Sequence, residues 1–331
     1  MKTVFKVTWA VVLIMFLTTE ASAATRIKIA TLAPEGTSWM KVMNALAVEV
    51  KEKTGGEVQL KFYAGGVMGD EGDVIRKMKF GQIQGGGFTG RGLGEINPEE
   101  RVLELPMLFN NDEEVDCVLE KVTPRLEKGF LKKGFVFLGW AEVGHIYIFA
   151  NKPVYNKKDM QGLKMWMWEG DPLAKAMFEV HDLVPVPLDL PNVLTSMQTG
   201  LIDGVYNSPY ATVALQWHTR VKYMADMKLT YGTGAVLITK KQFQKLTQKQ
   251  QKILKDTAAK HLRNLTVITR KENKDAMAPI RKAGIKIIKI KDVDKIQAVS
   301  GEVYQSLVGK LYSSSFLKQV LKYRDACRIG K

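Results

Sequence analysis

The spacing of apolar and polar positions divides the chain into a short export segment and a long alternating body. Residues 7–17 are almost continuously apolar, Lys2 and Lys6 precede them, and Ala21-Ser22-Ala23 follows. A short apolar run with a basic start and small residues at its exit predicts a cleavable secretory signal over 1–23, not a membrane span. Residues 26–31 then read as a strand, and Ala33-Pro34-Glu35-Gly36 turns the chain. Thr37 or Ser38 caps a helix whose inner face carries Trp39, Met43, Leu46, Ala47 and Val50, and Gly55-Gly56 ends it. Residues 57–63 alternate as a strand, Gly69-Asp70 opens a helix ending near Gly81, and a short strand enters the glycines at Gly85. The pattern continues with a helix over about 112–133 and strands near 135–140, 145–150 and 163–168. A helix from about Asp171, a strand near 184–187 and a helix capped by Asp189 and stopped at Gly200 come next. Such alternation is the signature of an α/β sheet with crossover helices.

Residues 247–283 contain no glycine, carry Pro279 only near their end, and place Leu254, Ala258, Leu262, Leu265 and Ile268 on one face. One helix of about 35 residues would be on the order of 50 Å long, more than the width of one lobe. The chain is long enough for two lobes, and its apolar content of 46% excludes disorder. The net charge of +15 raises the question of nucleic acid. Its lysines are dispersed, however, as at Lys240, Lys241, Lys245, Lys249, Lys252 and Lys255, which is the pattern of solvated helix faces. Export removes access to nucleic acid, so none is expected as a partner. A specific alternative for the charge is docking to an acidic membrane-protein surface or anionic lipid headgroups. Cys117 and Cys327 can pair in an oxidising compartment or remain as thiols, and two residues carry no spacing that decides.

Residues 85–90, Gly-Gly-Gly-Phe-Thr-Gly, match G-x-G-x-x-G. A dinucleotide site needs a helix directly afterwards, and Arg91-Gly92-Leu93-Gly94 is a poor helix start. The expected use is instead a glycine-rich strand end that lets a ligand approach the backbone. His145, His181, His218 and His261 lie far apart without metal-ligand spacing, and no G-x-S-x-G turn occurs. No catalytic constellation, cofactor or metal is therefore expected, and the chain does not read as an enzyme.

Several stretches in order carry a family resemblance: Leu105-Pro106-Met107-Leu108-Phe109, Asp159-Met160-Gln161-Gly162-Leu163-Lys164 and Val184-Pro185-Val186-Pro187. With them stand Met197-Gln198-Thr199-Gly200-Leu201-Ile202-Asp203-Gly204 followed by Asn207, and Gly69-Asp70-Glu71. Together they resemble the substrate-binding proteins of tripartite ATP-independent periplasmic (TRAP) transporters, the dicarboxylate-binding type. The resemblance implies a periplasmic two-lobe α/β protein joined by hinge strands and a long lobe-spanning helix. Lobe I is expected over 24–150 plus about 238–280, and lobe II over 151–237 plus about 281–331. The implied partners are a small-molecule ligand bound between the lobes, the membrane permease subunits, and a periplasmic helical-repeat protein that accompanies some relatives.

The departure from the family is informative. Its ligand-pairing arginine, on the strand after Gly-Leu-Lys, falls here at Trp166, with Trp168 on the same strand face. A basic position of sialic-acid-binding relatives falls at about Ile146, a common apolar position at Leu190, and the polar contact at Asn207 is retained. The facing lobe offers Trp39, Asp70, Phe88, Gly90 and Arg91. The expectation is a predominantly hydrophobic or aromatic ligand, since an indole brings about 150–250 Å² of surface where a charge-assisted pair is lost. Arg91 is the candidate substitute anchor for a carboxylate, and Glu169 with Asp171 would make a cation site beside the indoles, although a helix-capping Asp171 is the simpler reading.

Overall fold

The computed structural model describes residues 24–329 as two sheets flanked by helices. The chain runs β1 (Thr25–Thr31), α1 (Ser38–Lys53), β2 (Val58–Tyr63), α2 (Glu71–Lys79), β3 (Gly85–Thr89) and α3 (Gly90–Ile96). A short 3-10 helix, Pro98–Glu104, leads to α4 (Asp112–Lys132), β4 (Phe135–Trp140), β5 (Gly144–Ala150) and β6 (Lys164–Met167). Then follow α5 (Pro172–Val180), β7 (Val184–Pro187), α6 (Val193–Gln198), β8 (Gly204–Asn207), α7 (Pro209–Ala214), β9 (Tyr223–Ala225) and β10 (Thr230–Gly232). The last part comprises β11 (Gly234–Thr239), α8 (Lys240–Phe243), α9 (Gln248–Asp275), α10 (Met277–Lys282), β12 (Lys286–Ile288), α11 (Val293–Ser306) and α12 (Ser314–Ile329).

The first sheet has the order β2-β1-β3-β11-β4, with β11 antiparallel to both neighbours. The second has the order β12-β9-β5-β8-β6-β7, with β10 paired to β5. The two sheets meet where β4 passes into β5 and β10 into β11. There the crossing segments are hydrogen-bonded, Ala141 N to Gly234 O at 2.7 Å and Val143 N to Gly232 O at 2.9 Å. This corrects the expected lobe boundary at 150. β5 reads as a strand from either side, but its backbone pairs with β8, β9 and β10, so it belongs to lobe II.

α9 is 28 residues long, about 42 Å at 1.5 Å per residue. Leu254, Ala258, Leu262 and Leu265 bury against the lobe I core with Ile27, Leu46 and Val236. Its last turn reaches the other lobe, where Asn273 Oδ1 accepts from Tyr210 N at 3.0 Å and Nδ2 donates to Val143 O at 2.9 Å. The predicted single helix over 247–283 breaks at Ala276, and α10 carries Pro279.

Two further expectations change. α11 packs on α5 in lobe II, but α12 packs on α4, so the C-terminal helix sits on lobe I. Cys117 and Cys327 are joined there as a disulfide, with their Cα atoms 6.1 Å apart. Asp189 makes no side-chain cap; a single turn, Leu190–Asn192, intervenes before α6. The predicted signal over 1–23 lies outside the described residues, and among those described no helix is long and apolar enough to cross a membrane.

Candidate ligand-binding cleft

Between the lobes lies a cavity of about 200 Å³, room for a small molecule and not a polymer. Its lobe II wall begins on β6. Trp166 is fully buried, and its indole N–H donates to Leu188 O at 2.9 Å, so the ring offers only apolar surface. It packs on Trp168 at 4.9 Å between centroids, stacks on Tyr206 at 5.1 Å, and meets Trp217 edge-on at 5.2 Å. Leu173, Met177 and Phe178 on α5, Leu190, and Ile146 with Leu229 complete the greasy face. Opposite them, Trp39 and Phe88 line the lobe I side.

The charged residues at the cleft are already engaged. Arg101, buried on the 3-10 helix of lobe I, reaches across with Nη2 to Asp171 Oδ1 at 3.0 Å and Oδ2 at 2.8 Å. Its Nη1 pairs with Glu104. Asp171 also caps α5, accepting from Leu173 N at 3.0 Å and Ala174 N at 3.2 Å. Burial opposes the charge on Arg101, but Asp171 and Glu104 raise its pKa overall. Burial pushes the neighbouring Glu100 carboxyl up to about 8, with the Glu104 charge adding to the effect. Glu142 binds Arg270 at 2.8 Å on the opposite rim. Arg91 pairs with Glu95 and donates across the lobes to Glu169 O at 3.2 Å. A further lobe-to-lobe hydrogen bond runs from Trp168 Nε1 to Asp70 Oδ2 at 2.9 Å.

Of the predicted site residues, Trp39, Phe88, Arg91, Ile146, Trp166, Trp168, Leu190 and Asn207 line the cavity. Asn207 Oδ1 accepts from Ser208 N at 2.8 Å, which leaves the amide nitrogen as its free group for a ligand oxygen. Asp70 and Gly90 do not line the cavity. Asp70 caps α2 and receives the Trp168 indole, and Gly90 lies under Glu104. Within the glycine run Gly87 does line the cavity, whereas the glycines just beyond it serve the protein itself. A methyl group on Gly90 would overlap the Glu104 carboxyl and one on Gly92 would crowd Glu71, so these glycines admit the protein's own acids.

A helix does follow the glycine-rich strand, against expectation. Buried Glu71 accepts from Thr89 N at 2.6 Å and Gly92 N at 2.7 Å, supplying from α2 the cap that α3 lacks locally. The cation site expected at Glu169 and Asp171 is also corrected, because Asp171 is bound to Arg101 and Glu169 contributes a backbone carbonyl to Arg91. Arg101, Glu104 and Tyr206 escaped the sequence reading; only their joint burial in three dimensions marks them. Among the described residues, no cluster of His, Cys, Asp and Glu could hold a metal ion.

Two lobes, paired crossover strands, a lobe-spanning helix and a cavity at their junction are the parts of a receptor that holds its solute between domains. Residues 29–312 match the family described as bacterial extracellular solute-binding protein, family 7, and the chain belongs to it. It is similar to a solute-binding protein of Chromohalobacter salexigens, 24% identical over 271 residues, covering 81% of this chain and 80% of that one. The fold resembles the sugar acid binding protein of Advenella mimigardefordensis in complex with galactonate, with TM-score 0.87, 20% identity, and coverage of 92% and 99% of the two chains. It also resembles a TRAP periplasmic solute-binding protein of Xanthobacter autotrophicus with bound β-D-galacturonate, with TM-score 0.85, 20% identity, and coverage of 91% and 99%. As a member of that family the protein is an extracytoplasmic solute-binding receptor, not an enzyme.

Proposed function

We propose that this receptor encloses a predominantly apolar, aromatic-bearing small molecule, held through one oxygen near Asn207, and delivers it to its permease. The observation that carries this reading is the state of the arginines. Arg101 is bound to Glu104 and Asp171, and Arg91 to Glu95 and Glu169 O, while most of the remaining wall is aromatic or aliphatic. A ligand carboxylate brought against Glu104 and Asp171 would be desolvated without a free cation to compensate it. Buried apolar area instead contributes about 25 cal/mol per Å² without charge pairing.

A second reading is favoured by one residue. Arg91 lines the cavity, and rotation away from its partly exposed partner Glu95 would free it for an acid such as those held by the galactonate and galacturonate proteins. Calorimetric titration with benzyl alcohol, benzoate and glucuronate separates the two. The expected order places the neutral aromatic at least tenfold tighter than either anion. Glucuronate binding tighter than the neutral aromatic sinks the proposal, as does a sugar acid found by native mass spectrometry in protein taken from its own periplasm. The open cavity also favours small-molecule reception over a module acting mainly through a helical-repeat partner.

A further inference from the structure

We infer that Asp171 is a specificity-determining residue: it supplies in cis the carboxylate that engages Arg101 across the closed cleft, and so turns anionic ligands away. The inference rests on the reading of an uncharged, largely apolar ligand and goes further by naming the group that enforces it.

The geometry carries the point. Arg101 stands on lobe I and Asp171 at the head of α5 on lobe II, 70 residues apart in sequence, so their contact forms only when the lobes meet. Both side chains are about 95% buried, and both line the cavity. Asp171 presents both oxygens to Nη2, while Glu104 takes Nη1. Arg101 therefore meets an acid on each terminal nitrogen, and an incoming carboxylate would have to displace Asp171 or lie beside two like charges. The backbone N–H groups of Leu173 and Ala174 hold Asp171 Oδ1 in place from behind, which makes displacement harder. The closed state gains its charge-assisted crossing from the protein itself, and the ligand is left to supply only shape and apolar contact.

The test removes the internal anion while keeping the helix cap. Asp171→Ser retains a capping oxygen and vacates the space of the carboxylate; Asp171→Asn removes the charge without opening a gap. Benzoate and its neutral counterpart benzyl alcohol are titrated calorimetrically into the wild-type protein and both variants. Wild type is expected to prefer benzyl alcohol, and Asp171→Ser to bind benzoate at least tenfold tighter than wild type does. Should the serine variant fail to fold, Asp171→Asn is expected to shift the ratio of the two affinities toward benzoate in the same sense. An affinity ratio unchanged from wild type in the folded variant overturns the role of Asp171. A wild type that itself prefers benzoate overturns the underlying ligand reading instead, so the two failures are distinguishable.

Discussion

Trp166 shows how one side chain can belong to a core and to a wall at once. Its nitrogen is bonded to Leu188 O and its ring is wedged among Trp168, Tyr206 and Trp217, yet it still borders the cavity. Truncation to Ala is expected to lower unfolding free energy by about 3–5 kcal/mol, the usual range for a large buried aromatic. Trp166→Phe keeps a ring there and loses edge contacts, so it should remain folded and weaken an aromatic ligand about tenfold. Denaturant titration and calorimetry read the two effects separately, and an unchanged ligand affinity in the folded Phe variant would remove Trp166 from the site. At this scale the sequence pointed to Trp166, and that side chain does line the cavity. It was silent on the pairing of Arg101 with Asp171, which spans 70 residues and has no local pattern. Asp171 read as a cap, and it is one; its second partner comes from the other lobe.

At the scale of elements, alternation of apolar positions located most strands and helices, because each buries one face. It failed where the deciding contact was distant. α3 looked unable to start because its own glycines cap nothing, while Glu71 receives its first N–H groups from 18 residues upstream. The assignment of β5 to a sheet depended on pairing partners that follow it in the chain. α12 is fixed on α4 by the disulfide, by Arg125 over the Phe316 ring at 4.1 Å, and by the approach of Arg328 Nη2 to Glu114 at 3.1 Å. Replacing both cysteines by serine is expected to cost about 2–4 kcal/mol of stability. Chemical denaturation should give the same loss for reduced wild type. No loss in either would mean that packing alone holds α12.

Across the whole molecule, two buried groups set opposite limbs of a pH profile. His181, against Ser300 Oγ at 2.9 Å, is held down to about 4 by burial, from an ordinary value of 6.5. The unfolded chain therefore binds the extra proton first, and this contribution is lost as pH falls from about 6.5 to 4. Glu100 is the reverse case. With its folded value near 8 against 4.5, its contribution is complete below 4.5 and is lost as pH rises toward 8. Relative to wild type, His181→Gln should flatten the acid limb and Glu100→Gln the alkaline one, each by at most about 1.4 kcal/mol per pH unit. Urea midpoints measured across this range check both, and parallel profiles would show that neither group is linked to folding.

The cysteines stand 210 residues apart, one early in lobe I and the other in the final helix. Nearly the entire polypeptide, including every strand of both sheets still unmade at Cys117, must be laid down before the two sulfurs can meet. Oxidation therefore cannot precede synthesis of the final helix. It acts as a clasp on a finished object, and a chain oxidised within its native shape has its tail sewn to the lobe that its head began.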